Sequence, residues 1–277
     1  MPASVTSEAR AGADAGLQVM MRYLEAVERW DLEAAETVTT DDLEMWWPQS
    51  GERFVGRANA VRALEAMSQK PEPAGEPRLV GHGDTWVLLM PVREGGEVDR
   101  YVGVFELAGG RVHRSTEYFG APFPADPARA PFAARGDSQA GAGEDRPTGG
   151  SPTTDGRAVV ARYLEAADRG DPEAMGALFA DDMEMWWPQS GERFVGRANV
   201  MAANRARQEM PLPAGEPRIV GSGDVWVLML PIRYADGGLF HFVGLFELAG
   251  STIRRATGHW ASPFPADPAR APFAEPT

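Results

Sequence analysis

The feature that most constrains this chain is a nineteen-residue block that occurs twice. Residues 41–59, DDLEMWWPQSGERFVGRAN, return as 181–199 with one change, Leu43 to Met183, at a spacing of 140 residues. A second block, 122–132, returns unchanged as 263–273. The chain is therefore predicted to fold as two copies of one unit, and its function has to be sought in a unit that is used twice.

The length of 277 residues suits two domains of ordinary size. We predict a disordered lead over 1–14, a first domain over 15–132 and a second over 157–277. The segment 133–156 is rich in Gly, Ser, Pro, Asp and Thr and has almost no large apolar residue, which is typical of a flexible linker.

Charge and cysteine content exclude several functions. The net charge of −13 would repel phosphate backbones and anionic lipid, so neither nucleic acid nor a membrane is an expected partner. The absence of cysteine rules out disulfides, thiolate nucleophiles and cysteine metal ligands. No apolar run has signal-peptide or membrane-helix length, and a cytoplasmic location is predicted.

Apolar spacing predicts helices first and strands last in each repeat. In repeat one, helical periodicity covers 17–30 and shorter helices are expected over 32–38 and 57–69, with a strand over 43–47 between them. Three longer strands follow over 84–93, 98–107 and 111–119, the last two joined by a Gly109-Gly110 turn. This order indicates an α+β fold with a mostly antiparallel sheet.

Several motifs in this order resemble the NTF2-like superfamily, in its SnoaL-like and ketosteroid-isomerase-like branch. They include ARYLE at 161–165, GDPEA at 170–174, the Gly196-Arg197 step before the third helix, and RSTEYF at 114–119. The resemblance implies two tandem cone domains, each with about three helices packed on a curved sheet around an apolar pocket. It also implies that the domains pair, either with each other as an intrachain pseudo-dimer or across a homodimer.

The resemblance gives two aromatic positions in each repeat a possible role. Tyr23 and Tyr163 match the helix-one tyrosine with which the isomerases stabilise an oxyanion. Trp47 and Trp187 stand where those enzymes carry their general-base aspartate, and an indole cannot take a proton from carbon. The isomerase mechanism is therefore predicted to be lost, with both indoles as pocket walls. The tyrosines could equally be amphipathic core residues.

Other candidates come from strand alternation. Glu117 shares a face with the pocket residue Phe119, so burial should raise its pKa, and repeat two has Gly258 in its place. A glutamate at the rim is the alternative. Arg100 and His241 are predicted to face inward at equivalent positions, with Asp99 facing the other way; His241 could be a base or a partly exposed strand residue.

These positions make up the predicted sites. The candidate catalytic residues are Glu117, Tyr23, Tyr163 and His241, and the candidate ligand-binding residues are Met45, Trp47, Arg100, Phe119, Met185, Trp187 and Trp260. No cofactor or metal is predicted, because nucleotide-binding motifs and metal-ligand spacing are absent from the sequence.

Three functions remain open from the sequence. The first is a SnoaL-like protein that binds a small apolar metabolite and performs cofactor-free acid/base catalysis of the cyclase, isomerase or hydrolase type. The second is a non-catalytic binding or interaction module. The third, an epoxide hydrolase, would need an Asp-Arg-Asp cluster that the sequence does not supply at the spacing of that family.

Overall fold

The computed structural model describes residues 6–7, 15–94, 96–134, 155–206 and 211–275. Most of the predicted lead and most of the predicted linker lie outside these residues. Within the lead, Thr6 and Ser7 pair with the strand that begins at Arg78 and are ordered there, contrary to the prediction. The described chain forms two compact units, Met1–Ala121 with Ser262–Thr277, and Pro122–Ala261.

The first unit has three helices and eight strands. They are β1 (Thr6–Ser7), α1 (Ala15–Glu28), α2 (Leu32–Thr37), β2 (Thr39–Trp47), β3 (Glu52–Val55), α3 (Arg57–Glu65), β4 (Glu72–Pro73), β5 (Arg78–His82), β6 (Thr85–Glu94), β7 (Glu97–Ala108) and β8 (Arg111–Gly120). The sheet order is β1-β5-β6-β7-β8-β2-β3, with β4 paired to β6. The long strands β5 to β8 are antiparallel neighbours, whereas β2 runs parallel to β8.

The second unit repeats this arrangement. Its elements are α4 (Gly156–Asp168), α5 (Pro172–Gly176), β9 (Phe179–Trp187), β10 (Glu192–Val195), α6 (Arg197–Arg205), β11 (Leu212–Pro213), β12 (Arg218–Ser222), β13 (Val225–Arg233), β14 (Leu239–Ala249) and β15 (Thr252–Ala261). The sheet order is β10-β9-β15-β14-β13-β11, with β12 paired to β13. The predicted α+β fold with tandem, mixed but mostly antiparallel sheets is confirmed.

Apolar stripes hold helices against one face of each sheet. In α1, Met20 and Leu24 are almost completely buried and belong to the core of the first unit with Trp86 and Phe105 from the sheet. The predicted helical stripe is thus the buried one. Helix α3 ends at Glu65 rather than at residue 69. The backbone N–H of Ala66 donates to the Arg62 carbonyl, and that of Met67 donates to the Leu64 carbonyl in a tighter turn that closes the helix.

Each unit is completed by a C-terminal arm from the other repeat. The predicted boundaries assigned 122–132 to the first domain and 263–273 to the second, whereas the compact units contain them the other way round. In the first unit the backbone N–H of Phe264 donates to the carbonyl of Gln49; in the second, that of Phe123 donates to Gln189. The two identical arms therefore dock on the two copies of the identical block.

An arginine anchors each arm. Arg270 donates from Nε and Nη2 to the two carboxylate oxygens of Glu52, both at 2.9 Å, and the Ser50 hydroxyl donates to the same carboxylate. The Arg270 guanidinium also lies 4.8 Å from the centre of the Trp47 ring. Arg129 forms the same fork with Glu192. The same buried ion pair thus forms in both units.

Candidate functional site

The described part of the first unit contains a buried carboxyl group, Glu117 on β8, which is only 5% exposed. The Trp47 indole Nε1 donates to its Oε2 at 3.2 Å. The hydroxyls of Ser115 and Tyr101 are its other hydrogen-bond donors. Burial raises the pKa of Glu117, and these three hydrogen bonds oppose that rise in part. Glu117 thus has the surroundings of an acid/base group rather than of a surface charge.

Strand register brings these groups together. Tyr101 lies opposite Phe119 and Gly103 lies opposite Glu117 across β7 and β8, so these side-chain positions share one face of the sheet. A Cβ at Gly103 would come within 2.5 Å of the Tyr101 hydroxyl oxygen. Glycine at this position therefore leaves the space that the Tyr101 hydroxyl occupies.

Tyr23 reaches the same place from helix α1. Its ring packs edge-on against Phe105, with the centroids 5.1 Å apart. Burial, and secondarily the charge of Glu117, raise the pKa of Tyr23 far above that of an ordinary tyrosine. Its hydroxyl therefore keeps its proton at physiological pH and can act as a hydrogen-bond donor.

Glu117 and Tyr23 line a cavity of about 60 Å³. The rest of its wall is mostly apolar and comprises Val27, Glu28, Trp30, Leu32, Trp47, Leu64, Met67, Pro71, Pro73, Leu88, Met90, Val92, Tyr101 and Phe119. A cavity of about 150 Å³ can hold benzene. In this conformation the cavity has room for only part of a ligand, so a larger molecule has to extend out of the cavity or displace wall residues.

The second unit has a cavity of about 80 Å³ at the equivalent place. Four residues named in the sequence analysis line it: the candidate catalytic residue Tyr163 and the candidate ligand-binding residues Met185, Trp187 and Trp260. Its other lining residues are Leu164, Ala167, Asp168, Asn204, Pro211, Pro213, Leu228, Leu230, Ile232, Phe242, Gly244, Phe246, Ala256, Thr257 and Gly258.

The oxygen-bearing cluster of the first unit is missing from the second. Glu117 corresponds to Gly258, and its hydroxyl donors Tyr101 and Ser115 correspond to Phe242 and Ala256. The indole donor is the member that both units share. The carboxyl and its two hydroxyl donors are thus all present in the first unit and all absent from the second, as expected for groups that form one hydrogen-bonded cluster.

Four of the predicted site residues of the first unit, Glu117, Tyr23, Trp47 and Phe119, line its cavity. Met45 is buried in the core of the unit rather than in that wall.

The predicted inward placement of Arg100 and His241 is wrong. Met90 pairs with Tyr101, and Leu230 pairs with Phe242, and all four of these residues line cavities. Arg100 and His241 precede Tyr101 and Phe242, so they lie on the opposite face of the sheet. The predicted alternation of this strand is shifted by one residue, and Asp99 therefore lies on the face of Tyr101 instead of on the opposite one.

Sequence reasoning missed Tyr101, Ser115 and Asn204. Phe105 provided the signal for Tyr101, since an inward Phe105 puts residues 103 and 101 inward by period two. Ser115 follows from Glu117 in the same way.

Among the residues that the structure describes, no group of three or more His, Asp or Glu could hold a metal ion. No helix in those ranges is long and apolar enough to cross a membrane.

The burial of Glu117 makes a prediction about stability and pH. A folded-state pKa above the unfolded one means that the folded state holds the Glu117 proton more tightly. The contribution of Glu117 to stability is therefore fully present below the unfolded pKa and is lost as pH rises through the folded pKa. Glu117→Gln should therefore raise the melting temperature relative to the wild type at pH 8, and by less at pH 4. Equal differences at both pH values, measured by calorimetry, would contradict the raised pKa.

Comparison with known protein families gives a match within the second repeat. Residues 160–260 match the model of the SnoaL-like domain family. The first repeat has the same strand order around its long strands, and the recognition of a tandem NTF2-like, SnoaL-like protein is confirmed. A comparison with curated proteins gives no match.

Three similar solved structures each cover less than half of this chain. An NTF2-like protein of unknown function from Burkholderia xenovorans LB400 is 29% identical, with 44% of this chain and 94% of that chain covered and a TM-score of 0.40. A candidate ketosteroid isomerase from Kribbella flavida is 22% identical, with 45% and 91% covered and a TM-score of 0.40. A candidate polyketide cyclase from Pseudomonas putida KT2440 is 21% identical, with 36% and 87% covered and a TM-score of 0.33.

Proposed function

We propose that the first unit binds a small apolar carbonyl compound and catalyses cofactor-free proton transfer on it. The Glu117 carboxylate takes a proton from the carbon next to the carbonyl and later returns one, while the Tyr23 hydroxyl donates a hydrogen bond to the carbonyl oxygen. Both bonds that change are to hydrogen, so the step balances without an oxidant or a metal. This is the elementary step of isomerisation and of aldol-type cyclisation.

The observation that supports this proposal most is the buried carboxyl with its donors in an otherwise apolar cavity. A carboxylate has about four lone-pair sites, and three donors leave one of them for a substrate. A raised pKa makes the carboxylate a stronger base than an ordinary glutamate. The second unit, with Gly258 at this position, serves as an internal comparison without the carboxyl.

The alternative is a non-catalytic binding module, favoured by Trp47 and Trp187 at the position of the isomerase base. One experiment distinguishes catalysis from binding without catalysis. Cyclohexanone, acetophenone and 2-tetralone are incubated with the protein in D₂O, and deuterium uptake at the carbon beside the carbonyl is followed by NMR. If the first unit is catalytic, deuterium exchange is faster than in buffer alone and the increase is lost in Glu117→Gln. Binding of the ketones without faster exchange would support the non-catalytic binding module.

Other features of this function stay predictions from the sequence. They are the cytoplasmic location, the absence of a cofactor and of nucleic-acid or membrane partners, and the pairing of the two repeats.

A further inference from the structure

The second cavity contains a polar group that the fold does not use. Asn204 on α6 is 9% exposed and lines the cavity. Its amide nitrogen Nδ2 has no hydrogen-bond partner. An unpaired buried amide costs roughly 1–3 kcal/mol of stability, so a residue of this kind usually has another reason to be present.

The first unit shows that the fold does not need an amide at this place. Asn204 corresponds to Leu64, 140 residues earlier on α3, and Leu64 lines the cavity of the first unit. A leucine therefore fits the equivalent position in the first unit. The second unit has lost the carboxyl cluster and has gained an amide donor, so the two cavities present different chemistry to a ligand.

The remaining lining residues restrict the charge of a ligand. Among the residues that the structure describes, the wall contains aromatic rings from Trp187, Trp260 and Phe242 and no lysine, arginine or histidine. Asp168 is the one carboxyl among these described lining residues, and it is exposed. An anion would find no cation among them, and the unpaired amide nitrogen of Asn204 can only donate a hydrogen bond.

We propose that the cavity of the second unit is a separate binding site for a neutral, mostly apolar molecule with a hydrogen-bond acceptor such as a ketone oxygen. Asn204 Nδ2 donates to that oxygen, and the aromatic wall packs on the rest of the molecule. The site has no acid/base group at the position of Glu117, so it binds its ligand without the chemistry proposed for the first unit. The inference does not depend on that chemistry.

The test compares cyclohexanone with methylenecyclohexane, which has nearly the same shape but no oxygen acceptor. Binding to the full chain is followed by NMR through the Asn204 side-chain amide and the Gly258 backbone amide, both of which report on the second unit. Cyclohexanone should shift both signals in the wild type. Asn204→Leu should weaken its binding roughly tenfold, as expected for one lost hydrogen bond, and should leave methylenecyclohexane binding equal or tighter.

Controls separate this site from the first unit. Glu117→Gln should leave cyclohexanone binding at the Gly258 signal unchanged, whatever its effect on catalysis. Leu64→Asn is the matched change in the first unit and should also leave that signal unchanged. Equal cyclohexanone affinity in the wild type and Asn204→Leu, no shift of the Asn204 amide, or tighter binding of cyclohexylammonium than of cyclohexanone would each overturn the proposal. The shift of the Asn204 amide in the wild type remains decisive even if Asn204→Leu fails to fold.

Discussion

Glu117→Gln is expected to slow deuterium exchange into the ketone panel by a factor of about 10²–10⁴, which is the usual contribution of a positioned acid/base group. Glutamine keeps the size of the side chain and can still accept the hydrogen bond from Trp47. It cannot take a proton from carbon at neutral pH. The variant should therefore lower the exchange rate of the bound ketone and leave the affinity of the protein for the ketone nearly unchanged.

Two further variants sharpen this prediction. Tyr23→Phe should lower the rate by about 10²–10³, the range for loss of one oxyanion donor. Glu25→Gln, an exposed change on the same helix as Tyr23, should have no effect. Exchange in Glu117→Gln at the wild-type rate, or wild-type exchange equal to that of buffer, would contradict the catalytic proposal.

Arg270→Met should destabilise the first unit by about 3–5 kcal/mol, the usual cost of removing one partner from a buried ion pair. Arg270 and Glu52 have side chains only 9% and 4% exposed. Methionine fills much of the space but leaves the Glu52 carboxylate buried without its cation, with the Ser50 hydroxyl still donating to it. Hydrogen exchange measured by mass spectrometry should show lost protection in peptides of residues 39–55.

The second repeat supplies the matched control for the arm. Arg129→Met should remove protection from residues 179–195 and leave 39–55 protected, because its fork is to Glu192. Adding Glu52→Gln to Arg270→Met should restore part of the stability, since it removes the unpaired charge. Loss of protection in both units from either single change, or in neither, would show that the arms do not act as the structure indicates.

The fold followed from the sequence because its determinants are periodic and local. The stripe around Met20 and Leu24 and the alternating burial of Leu43, Met45 and Trp47 come directly from the spacing of apolar residues. The placement of the arms did not. Residues 122–132 and 263–273 are identical, so no sequence argument can decide which copy docks on which block.

The sequence placed site residues correctly where the alternation of a single strand decides which face they lie on. It placed them wrongly where the position had to be aligned along a second strand. Glu117 and Phe119 lie two apart on β8, and the period of the strand alone places them on one face. Arg100 was placed by counting along another strand, where an error of one residue exchanges the two faces. Asn204 was missed because an asparagine on a helix face does not indicate a binding site until the cavity beside it is known.

The measurement that tests the central claim most directly is the titration of the Glu117 carboxyl carbon by NMR, in protein labelled with ¹³C-glutamate and assigned with Glu117→Gln. Burial should place its midpoint above the ordinary glutamate pKa of about 4.3, and the Trp47 indole N–H signal should move with the same midpoint, since it donates to that carboxyl. A midpoint at or below the ordinary value, with a Trp47 signal that does not follow it, would contradict a buried acid/base group in this cavity.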